Sequence, residues 1–295
     1  MKYDITVVGS CSIDNIYYAK KDNTYNSRPD LIVPGGKGSN QAVAASRAGS
    51  KVNIISIISN NKEGLLLKEN LDKNNINTSN IELVDVDNDI NNIYINYYNK
   101  DNSIKREINT SKLITIDFIK RHLSSILESK MVLIQTKIPK STTEYIINIC
   151  YKNNIKVIVT PSNPKELDIT LIDKITYITA NKKECLSIFN EDIKTSIKKY
   201  PNKLIVTLGS KGVIFSNKNK IIEYNSIKVD NIKDTIGAGD TFTGNLAVLL
   251  LENKPLEAAI NIAQYASALK ILKKSPQEGM PFKKERDLFI KVFKQ

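Results

Sequence analysis

The stretch Asp234-Thr235-Ile236-Gly237-Ala238-Gly239-Asp240-Thr241-Phe242-Thr243-Gly244 places small residues directly before an apolar segment. Apolar residues then recur at helical spacing as far as Leu250, which predicts that Gly237–Gly239 lie at or just before a helix N-terminus. Unpaired backbone N–H groups and the positive end of the helix dipole meet at such a terminus. The segment is therefore suited to holding an anion.

Asp240 follows these glycines directly and could accept a proton from an attacking hydroxyl group. The backbone N–H groups of Gly237, Ala238 and Gly239 could stabilise the negative charge that develops during such an attack. A base beside an anion hole is an arrangement suited to phosphoryl transfer. Taken alone, the segment is equally compatible with an ordinary glycine-rich helix start in which Asp240 is only a first-turn carboxylate.

Two other segments also place polar side chains beside glycines or at the end of a strand. Residues 34–45 read PGGKGSNQAVAA, so glycines lead into a helix of small residues, with Lys37 and Asn40 at its entrance. An apolar strand at 5–8 ends in small residues shortly before Asp14. Because open parallel sheets bind ligands at the carboxyl ends of their strands, these polar groups are candidates for holding hydroxyl groups.

Short β-branched runs alternate with helical patterns along most of the chain. Strands are predicted at 5–8, 52–58, 131–134, 157–159, 176–179 and 204–208, with helices at 41–48, 64–71, 142–151 and 182–189 between them. This alternation predicts one α/β domain over residues 1–295, with a doubly wound, mostly parallel sheet and helices on both faces. A small antiparallel ladder is predicted at 213–216 and 221–224.

Two segments, at about 12–34 and 88–110, do not fit this alternation. Residues 90–99 and 103–108, joined around Lys100-Asp101-Asn102, predict a hairpin, and residues 31–33 are a short apolar run after a polar segment. A small antiparallel β-lid inserted in the domain would explain both segments. The alternative is a surface hairpin without a function.

Composition limits the classes of partner. The chain has 295 residues with 43 basic and 31 acidic side chains, a net charge of +12. Such a charge would suit nucleic acid or an anionic membrane, but the lysines are dispersed over the sequence, so we expect neither partner. The positive field would favour capture of an anionic small molecule.

Cysteine and histidine usage excludes further classes. The three cysteines are far apart without a Cys-x-x-Cys pair, which indicates neither a disulfide framework nor a zinc site. No apolar segment typical of a signal peptide or a membrane span occurs, so a reducing cytoplasm is expected. His122 is the only histidine and no serine nucleophile motif accompanies it, which argues against a histidine-dependent hydrolase.

Taken together, five motifs in order resemble the ribokinase (PfkB) family of sugar kinases. They are Gly9 to Asp14, Gly35 to Asn40, Asn181 to Glu184, Thr207 to Gly212 and Asp234 to Gly244. Neither a Gly-x-x-x-x-Gly-Lys-Ser/Thr loop nor a Gly-x-Gly-x-x-Gly fingerprint is present, so other common nucleotide-binding classes are not indicated.

The resemblance implies ATP-dependent phosphorylation of the primary hydroxyl group of a sugar, first of all ribose to ribose 5-phosphate. Another sugar or nucleoside kinase of the family, or a catalytically impaired sugar-binding protein with this fold, remains an alternative. Asp240 corresponds to the family's catalytic base, beside its anion hole. Positions matching those that hold sugar hydroxyl groups are Asp14, Gly36, Lys37 and Asn40.

The resemblance also implies the nucleotide end of the site. Residues matching the nucleotide-binding positions are Asn181, Thr207, Gly209 and Gly212. Glu184, three residues after Asn181 and on the same predicted helical face, matches a residue that orders water around Mg²⁺ on the triphosphate. An indirect role is chemically reasonable because magnesium tends to keep its water ligands.

Two further expectations follow from the resemblance alone. Asp234 and Thr235 match part of the family's monovalent-cation site, so K⁺ activation is expected. The second loop of that site departs from the family, because Ser-Pro-Gln-Glu-Gly at 275–279 replaces the more usual Gly-Ala-Gln-Pro-Ser. The lid implies a homodimer formed through it.

One departure concerns the substrate. In Gln-Thr-Lys-Ile-Pro at 135–139, Lys137 stands where the family usually has a glutamate that contacts the sugar. A hydrogen-bond acceptor is thereby replaced by a cationic donor. Lys137 could point away from the site, pair with Asp14 or Asp240, or favour an acidic or phosphorylated substrate. Of these outcomes, we expect a loss or change of ribose affinity before a new specificity for sugar phosphates.

Overall fold

The structure is a computed structural model that describes residues 1–96, 98 and 101–293. Its strands are β1 (Tyr3–Val8), β2 (Ser12–Tyr18), β3 (Leu31–Gly35), β4 (Val52–Ser59), β5 (Asn77–Val84), β6 (Asp89–Asn96), β7 (Asp101–Glu107), β8 (Ser129–Gln135), β9 (Lys156–Thr160), β10 (Tyr177–Asn181), β11 (Leu204–Thr207), β12 (Val213–Ser216) and β13 (Ile221–Tyr224). Its α-helices are α1 (Lys37–Arg47), α2 (Lys62–Lys73), α3 (Ile116–Arg121), α4 (Leu123–Leu127), α5 (Lys140–Lys152), α6 (Lys182–Phe189), α7 (Ile193–Lys199), α8 (Ala238–Leu251), α9 (Leu256–Lys270) and α10 (Lys283–Phe293).

The large sheet has the order β13-β12-β11-β10-β9-β8-β1-β4-β5. Strands β1, β4, β5 and β8 to β11 are parallel, and β12 and β13 extend the sheet with antiparallel ladders. The predicted α/β class with a mostly parallel sheet is confirmed. The carboxyl ends of the parallel strands meet at one edge, where a ligand site is expected.

Helices cover both faces of this sheet, as the alternation of side chains in β8 shows. Met131 and Leu133 belong to one buried cluster together with Leu246 of α8. Val132 and Ile134 belong to the opposite cluster together with Ile146 of α5. Both faces of the strand are thus buried, which explains its nearly continuous run of apolar residues.

The predicted lid is a separate four-stranded sheet of order β3-β2-β6-β7. Its outer ladders, β2–β3 and β6–β7, are antiparallel, whereas the central strands β2 and β6 pair in parallel. A small core of Ile16, Ile93 and Ile95 holds the sheet together, and Ile236 packs against it. The lid therefore contacts the loop before α8. The turn predicted around Lys100 lies outside the described residues.

Some elements were not predicted. Strand β5 lies at the edge of the large sheet and is only partly buried, so its sequence lacks a continuous apolar run. Helix α7 is short and ends in Lys198 and Lys199, which gave no helical apolar pattern. In the described part of the chain, no helix combines the length and apolarity needed to cross a membrane.

Candidate active site

Asp240 lies in the first turn of α8, which begins after Gly237 in a left-handed conformation, as the glycines predicted. Its Oδ2 accepts a hydrogen bond from Asn40 Nδ2, and its Oδ1 accepts one from Gln41 Nε2, each at 3.1 Å. Lys37 Nζ lies 3.8 Å from Oδ1. The structure therefore brings the two glycine-rich segments together around one carboxylate.

The Asp240 side chain is buried, but its hydrogen-bonding capacity is not exhausted. Each carboxylate oxygen has two lone pairs, and each accepts a single amide hydrogen bond. The neighbouring Lys37 side chain is 26% exposed, so the buried carboxylate adjoins a side chain that solvent reaches. A substrate hydroxyl group can therefore still hydrogen-bond to this carboxylate.

The predicted anion hole has one unpaired N–H group fewer than the sequence suggested. The N–H of Ala238 donates to Thr235 O at 3.2 Å and is already engaged, which corrects its assignment as a free donor. Among the described residues, no acceptor binds the N–H groups of Gly237, Gly239 or Asp240. A Cβ placed on Gly239 would meet no atom within 4 Å, so open space lies beside the unpaired amides.

Asp14 enters the site from β2 of the lid. Its buried carboxylate accepts hydrogen bonds from Ser12 Oγ at 2.8 Å and from Asn91 Nδ2 at 2.7 Å. Burial raises the pKa of Asp14 to about 6, although both hydrogen bonds oppose the shift. A Cβ at Gly35 would lie 2.1 Å from this carboxyl group, so the carboxylate requires a glycine there.

Gly36 fixes the start of α1. It is the N-cap residue with a φ of 92°, and a Cβ there would lie 2.6 Å from Ser10 O. Only glycine fits this position without strain. The turn directs Asn40 toward Asp240, and Gln277 Nε2 in turn donates to Asn40 Oδ1 at 2.9 Å.

Lys137 faces the site and does not point away from it. Burial lowers its pKa to about 8, Arg106 and Lys37 add repulsion, and Asp14 and Asp240 oppose these effects. No carboxylate of the described residues lies within ion-pairing distance of its ammonium group, so direct pairing with Asp14 or Asp240, one of the three alternatives, does not occur.

A cavity of about 390 Å³ opens beside Lys137, between β7 of the lid and the segments that follow β8 and β9. Its charged lining residues are Arg106, Lys112, Lys137 and Glu166. Three cations therefore face one anion. The lining has the composition of a pocket for a negatively charged group.

The predicted nucleotide residues lie at the ends of two adjacent strands. Asn181 ends β10 and pairs in register with Thr207, which ends β11. Gly209 follows with a φ of 61°, and a Cβ there would meet no atom within 4 Å. Gly212 closes the turn with a φ of 96°, and a Cβ there would lie 1.9 Å from Tyr224 O. The loop therefore has open space beside Gly209, while close packing against Tyr224 fixes its backbone at Gly212.

The predicted shared helical face of Asn181 and Glu184 takes the form of a contact at the start of α6, because Asn181 precedes the helix. Asn181 is the N-cap residue of α6, and the two residues form a capping box. Glu184 N–H donates to Asn181 Oδ1 at 2.9 Å, and Asn181 N–H donates to Glu184 Oε2 at 2.8 Å. This leaves Glu184 Oε1 available for a water molecule.

A magnesium ion fits this arrangement only as an indirectly held group. Within residues 1–96, 98 and 101–293, no group of three or more histidine, cysteine, aspartate or glutamate side chains could hold a metal. Magnesium bound to substrate phosphates keeps several water ligands and needs few protein ligands. Glu184 is suited to hydrogen-bonding one of those waters.

The expected potassium site is a different case. Lys270 Nζ donates to the backbone oxygen of Asp234 at 2.9 Å and lies 3.8 Å from its Oδ2. Burial lowers the pKa of Lys270 to about 8 and raises that of Asp234. Thr235 is exposed and its backbone oxygen is bonded to Ala238. The Lys270 ammonium group already hydrogen-bonds the Asp234 backbone oxygen and carries its charge close to Oδ2, so a potassium ion on the same oxygens would be repelled.

The sequence matches the model of the pfkB family of carbohydrate kinases over residues 2–283. The chain belongs to the pfkB family. It is 34% identical over 287 residues to the ribokinase of Bacillus subtilis (strain 168), which covers 96% of this chain and 97% of that protein. The ribokinase of Lactococcus lactis (strain IL1403) is 35% identical over 283 residues, covering 94% and 93%.

The fold agrees with this assignment. The crystal structure of a ribokinase from Thermotoga maritima superposes with a TM-score of 0.85 at 28% identity, covering 98% of this chain and 99% of that one. Family and relatives confirm the prediction of a ribokinase-like sugar kinase, a transferase that uses ATP.

Several residues around the site were not assigned to it from the sequence. Gln41 was interpreted as part of a helix, although it adjoins Asn40 and contacts Asp240. Asn91 and Gln277 reach the site from distant parts of the chain, and no motif marks them. Lys270 is the last residue of α9, where lysine is common, so no sequence signal marks its burial.

Proposed function

We propose that this protein transfers the terminal phosphoryl group of ATP to the primary hydroxyl group of ribose, forming ribose 5-phosphate. The observation that carries the proposal is the Asp240 carboxylate, held by Asn40 and Gln41 beside the unpaired N–H of Gly239. The relatives from Bacillus subtilis and Lactococcus lactis are ribokinases, which supports ribose as the first candidate.

Asp240 would take the proton from the sugar hydroxyl group as the hydroxyl oxygen attacks the phosphorus atom in line. The N–H groups of Gly239 and Asp240 would hydrogen-bond to the transferred phosphoryl oxygens, and each donor in such a hole contributes about 2.7 to 4 kcal/mol. Bound magnesium would neutralise charge on the phosphates, with Glu184 holding one of its waters. Asn181, Thr207, Gly209 and Gly212 would form the nucleotide end.

The sugar would lie between α1 and the lid. Asp14 would accept hydrogen bonds from its hydroxyl groups, and Lys37 and Asn40 would donate to them. The lid would exclude water, which otherwise competes with the sugar for the phosphoryl group. Potassium has no part in this mechanism, because Lys270 engages the Asp234 oxygens.

The cationic cavity favours a second candidate substrate, a sugar that carries a carboxylate or phosphate group. Arg106 of the lid and Lys137 after β8 both line it, and Lys137 has no carboxylate partner among the described residues. An anion between these two side chains would supply the missing charge. Ribose has no such group and would leave Lys137 unpaired.

The decisive experiment is an ADP-release assay with ribose, deoxyribose, a ketohexose, a nucleoside, sugar acids and sugar phosphates. Ribose as the best substrate supports the first candidate, and a sugar acid or sugar phosphate supports the second. Asp240→Asn must abolish the signal in either case. ADP release from none of these compounds would refute the proposed function.

Lys137→Glu separates the two candidates further. This charge reversal should lower the KM for ribose and raise it for an anionic sugar, because the new carboxylate accepts hydroxyl hydrogen bonds and repels anions. Lys156→Glu is the control, an exposed lysine at the other end of the adjacent strand β9. Unchanged kinetics in Lys137→Glu would remove Lys137 from the sugar site.

We propose two further properties on separate grounds. Lid strands β3 and β7 expose Ile32 and Ile104, which supports a homodimer formed through the lid. Sedimentation of wild type and of Ile32→Asp tests this, with a monomeric wild type as the contrary result. Cys11, Cys150 and Cys185 are all free thiols, which supports a location in a reducing cytoplasm.

A further inference from the structure

Lys270, the last residue of α9, has a side chain that is 0% exposed. Its ammonium group donates to Asp234 O at 2.9 Å and lies 3.8 Å from Asp234 Oδ2. That carboxylate oxygen is buried and has no hydrogen-bond donor among the described residues. A buried ion pair is costly to form compared with apolar packing, so its presence here calls for a role other than stability.

Asp234 begins the loop that forms the anion hole. Its Oδ1 accepts a hydrogen bond from Ile236 N–H at 2.8 Å, which shapes the turn before Gly237. Ser267, one helical turn before Lys270, donates to Ala238 O at 2.9 Å. Helix α9 therefore holds the loop at two points, one on each side of Gly237.

The loop at 275–279 packs against both Lys270 and the turn at Gly237. A Cβ on Gly279 would lie 2.3 Å from Lys270 O, and a Cβ on Gly237 would lie 2.7 Å from Pro276 O. Between these contacts, Gln277 Nε2 donates to Asn40 Oδ1 at 2.9 Å. A change at Lys270 would therefore reach both the anion hole and a residue that holds Asp240.

The oxygens that a monovalent cation would use between these loops include those of Asp234. The ammonium group of Lys270 already contacts both the backbone and the side-chain oxygen of that residue. A second cation on the same oxygens would face direct repulsion from Nζ. A cationic group that belongs to the chain is therefore already present at these oxygens.

We propose that Lys270 is a positioning residue whose ammonium group acts as a tethered cation, fixing the loop at 234–239 so that phosphoryl transfer requires no potassium. Lys270 touches neither the sugar site nor the amides of Gly239 and Asp240. It acts through Asp234, which sets the course of the loop.

The test compares wild type and Lys270→Met in buffers that contain either KCl or choline chloride at equal ionic strength. Wild-type turnover should be the same in both buffers. Lys270→Met should lose on the order of 10-fold to 100-fold in kcat in choline, the range that a misplacement of about 1 Å produces. Potassium should restore part of that loss, because a free ion can then bind the vacated oxygens.

Lys203→Met is a matched control. Lys203 is a partly buried lysine that donates to the backbone oxygens of Ile172 and Asp173 at 2.7 and 3.2 Å, before β11 and away from the site. Its replacement should lower the melting temperature equally in both buffers. Lys270→Met should melt at a higher temperature in potassium than in choline, a readout that needs no substrate.

Two results would overturn the proposal. One is wild-type turnover that rises several-fold on adding potassium, which would show that Lys270 does not replace the ion. The other is Lys270→Met with unchanged kcat in choline. If Lys270→Met does not fold, wild-type turnover in the two buffers still tests the proposal. If no sugar is phosphorylated, the wild-type melting temperature in the two buffers tests it instead.

Discussion

Replacing Asp240 by asparagine tests the centre of the proposed mechanism. The amide cannot accept a proton from the sugar hydroxyl group, so a general-base contribution of about 10²- to 10⁴-fold in kcat should disappear. At 1.36 kcal/mol for each factor of ten, this loss corresponds to about 2.7 to 5.4 kcal/mol of transition-state stabilisation. KM for the sugar should change much less, because Asp14 and Asn40 remain.

The structure also predicts an effect on stability. Both oxygens of Asp240 accept amide N–H groups, from Asn40 and Gln41. An asparagine at 240 presents its own NH₂ to one of them, so two donors face each other and one buried donor is left unpaired. The free energy of unfolding should fall by about 1 to 3 kcal/mol.

Steady-state kinetics by ADP release and a thermal melt on the same samples separate these effects. Asp117→Asn is the control, because Asp117 also lies in the first turn of a helix but its side chain is 81% exposed. It should change neither kcat nor the melting temperature appreciably. A folded Asp240→Asn protein with wild-type kcat would refute the assignment of the base.

Two further predictions concern Asp14 and Gly237. Burial raises the pKa of Asp14 to about 6, so KM for the sugar should rise as the pH falls through about 6 and the carboxylate is protonated, and Asp14→Asn should lose this dependence. Because folding raises the pKa of the Asp14 carboxyl group, its protonated form stabilises the folded protein. This contribution to the free energy of unfolding is largest below the ordinary pKa of 3.8 and is lost as the pH rises through about 6. Chemical denaturation at several pH values would measure it. Gly237 has a φ of 81° and a Cβ there would lie 2.7 Å from Pro276 O, so Gly237→Ala should lower the free energy of unfolding by at least about 1 to 2 kcal/mol and reduce kcat. A melting curve and turnover equal to wild type would show that this loop tolerates a side chain.

Much of the fold followed from local patterns. The parallel strands of the large sheet are buried on both faces, so β8 and β11 appear in the sequence as short apolar runs. Edge strand β5 escaped the same reasoning because it is only partly buried. The lid was predicted from a break in the alternation, but the parallel pairing of β2 with β6 depends on a long crossover connection between distant segments.

In the candidate site, too, the locally encoded features could be predicted from the sequence. Asp240 and its glycines are neighbours in the sequence, and a helix N-terminus is a local structure, so their arrangement could be predicted. The capping box at Asn181 is equally local, because its two residues are only three positions apart. The role of Glu184 toward magnesium remains a prediction.

The sequence by itself determined the chemistry of each short segment: a carboxylate at a glycine-rich helix start, a second carboxylate after a strand, and a glycine-containing loop proposed to bind the nucleotide. Only the tertiary structure decided which distant groups surround them. Gln277 supports Asn40 across 237 positions, and Lys270 reaches Asp234 from the end of another helix. Such contacts depend on helix packing, which brings together residues that no local pattern relates.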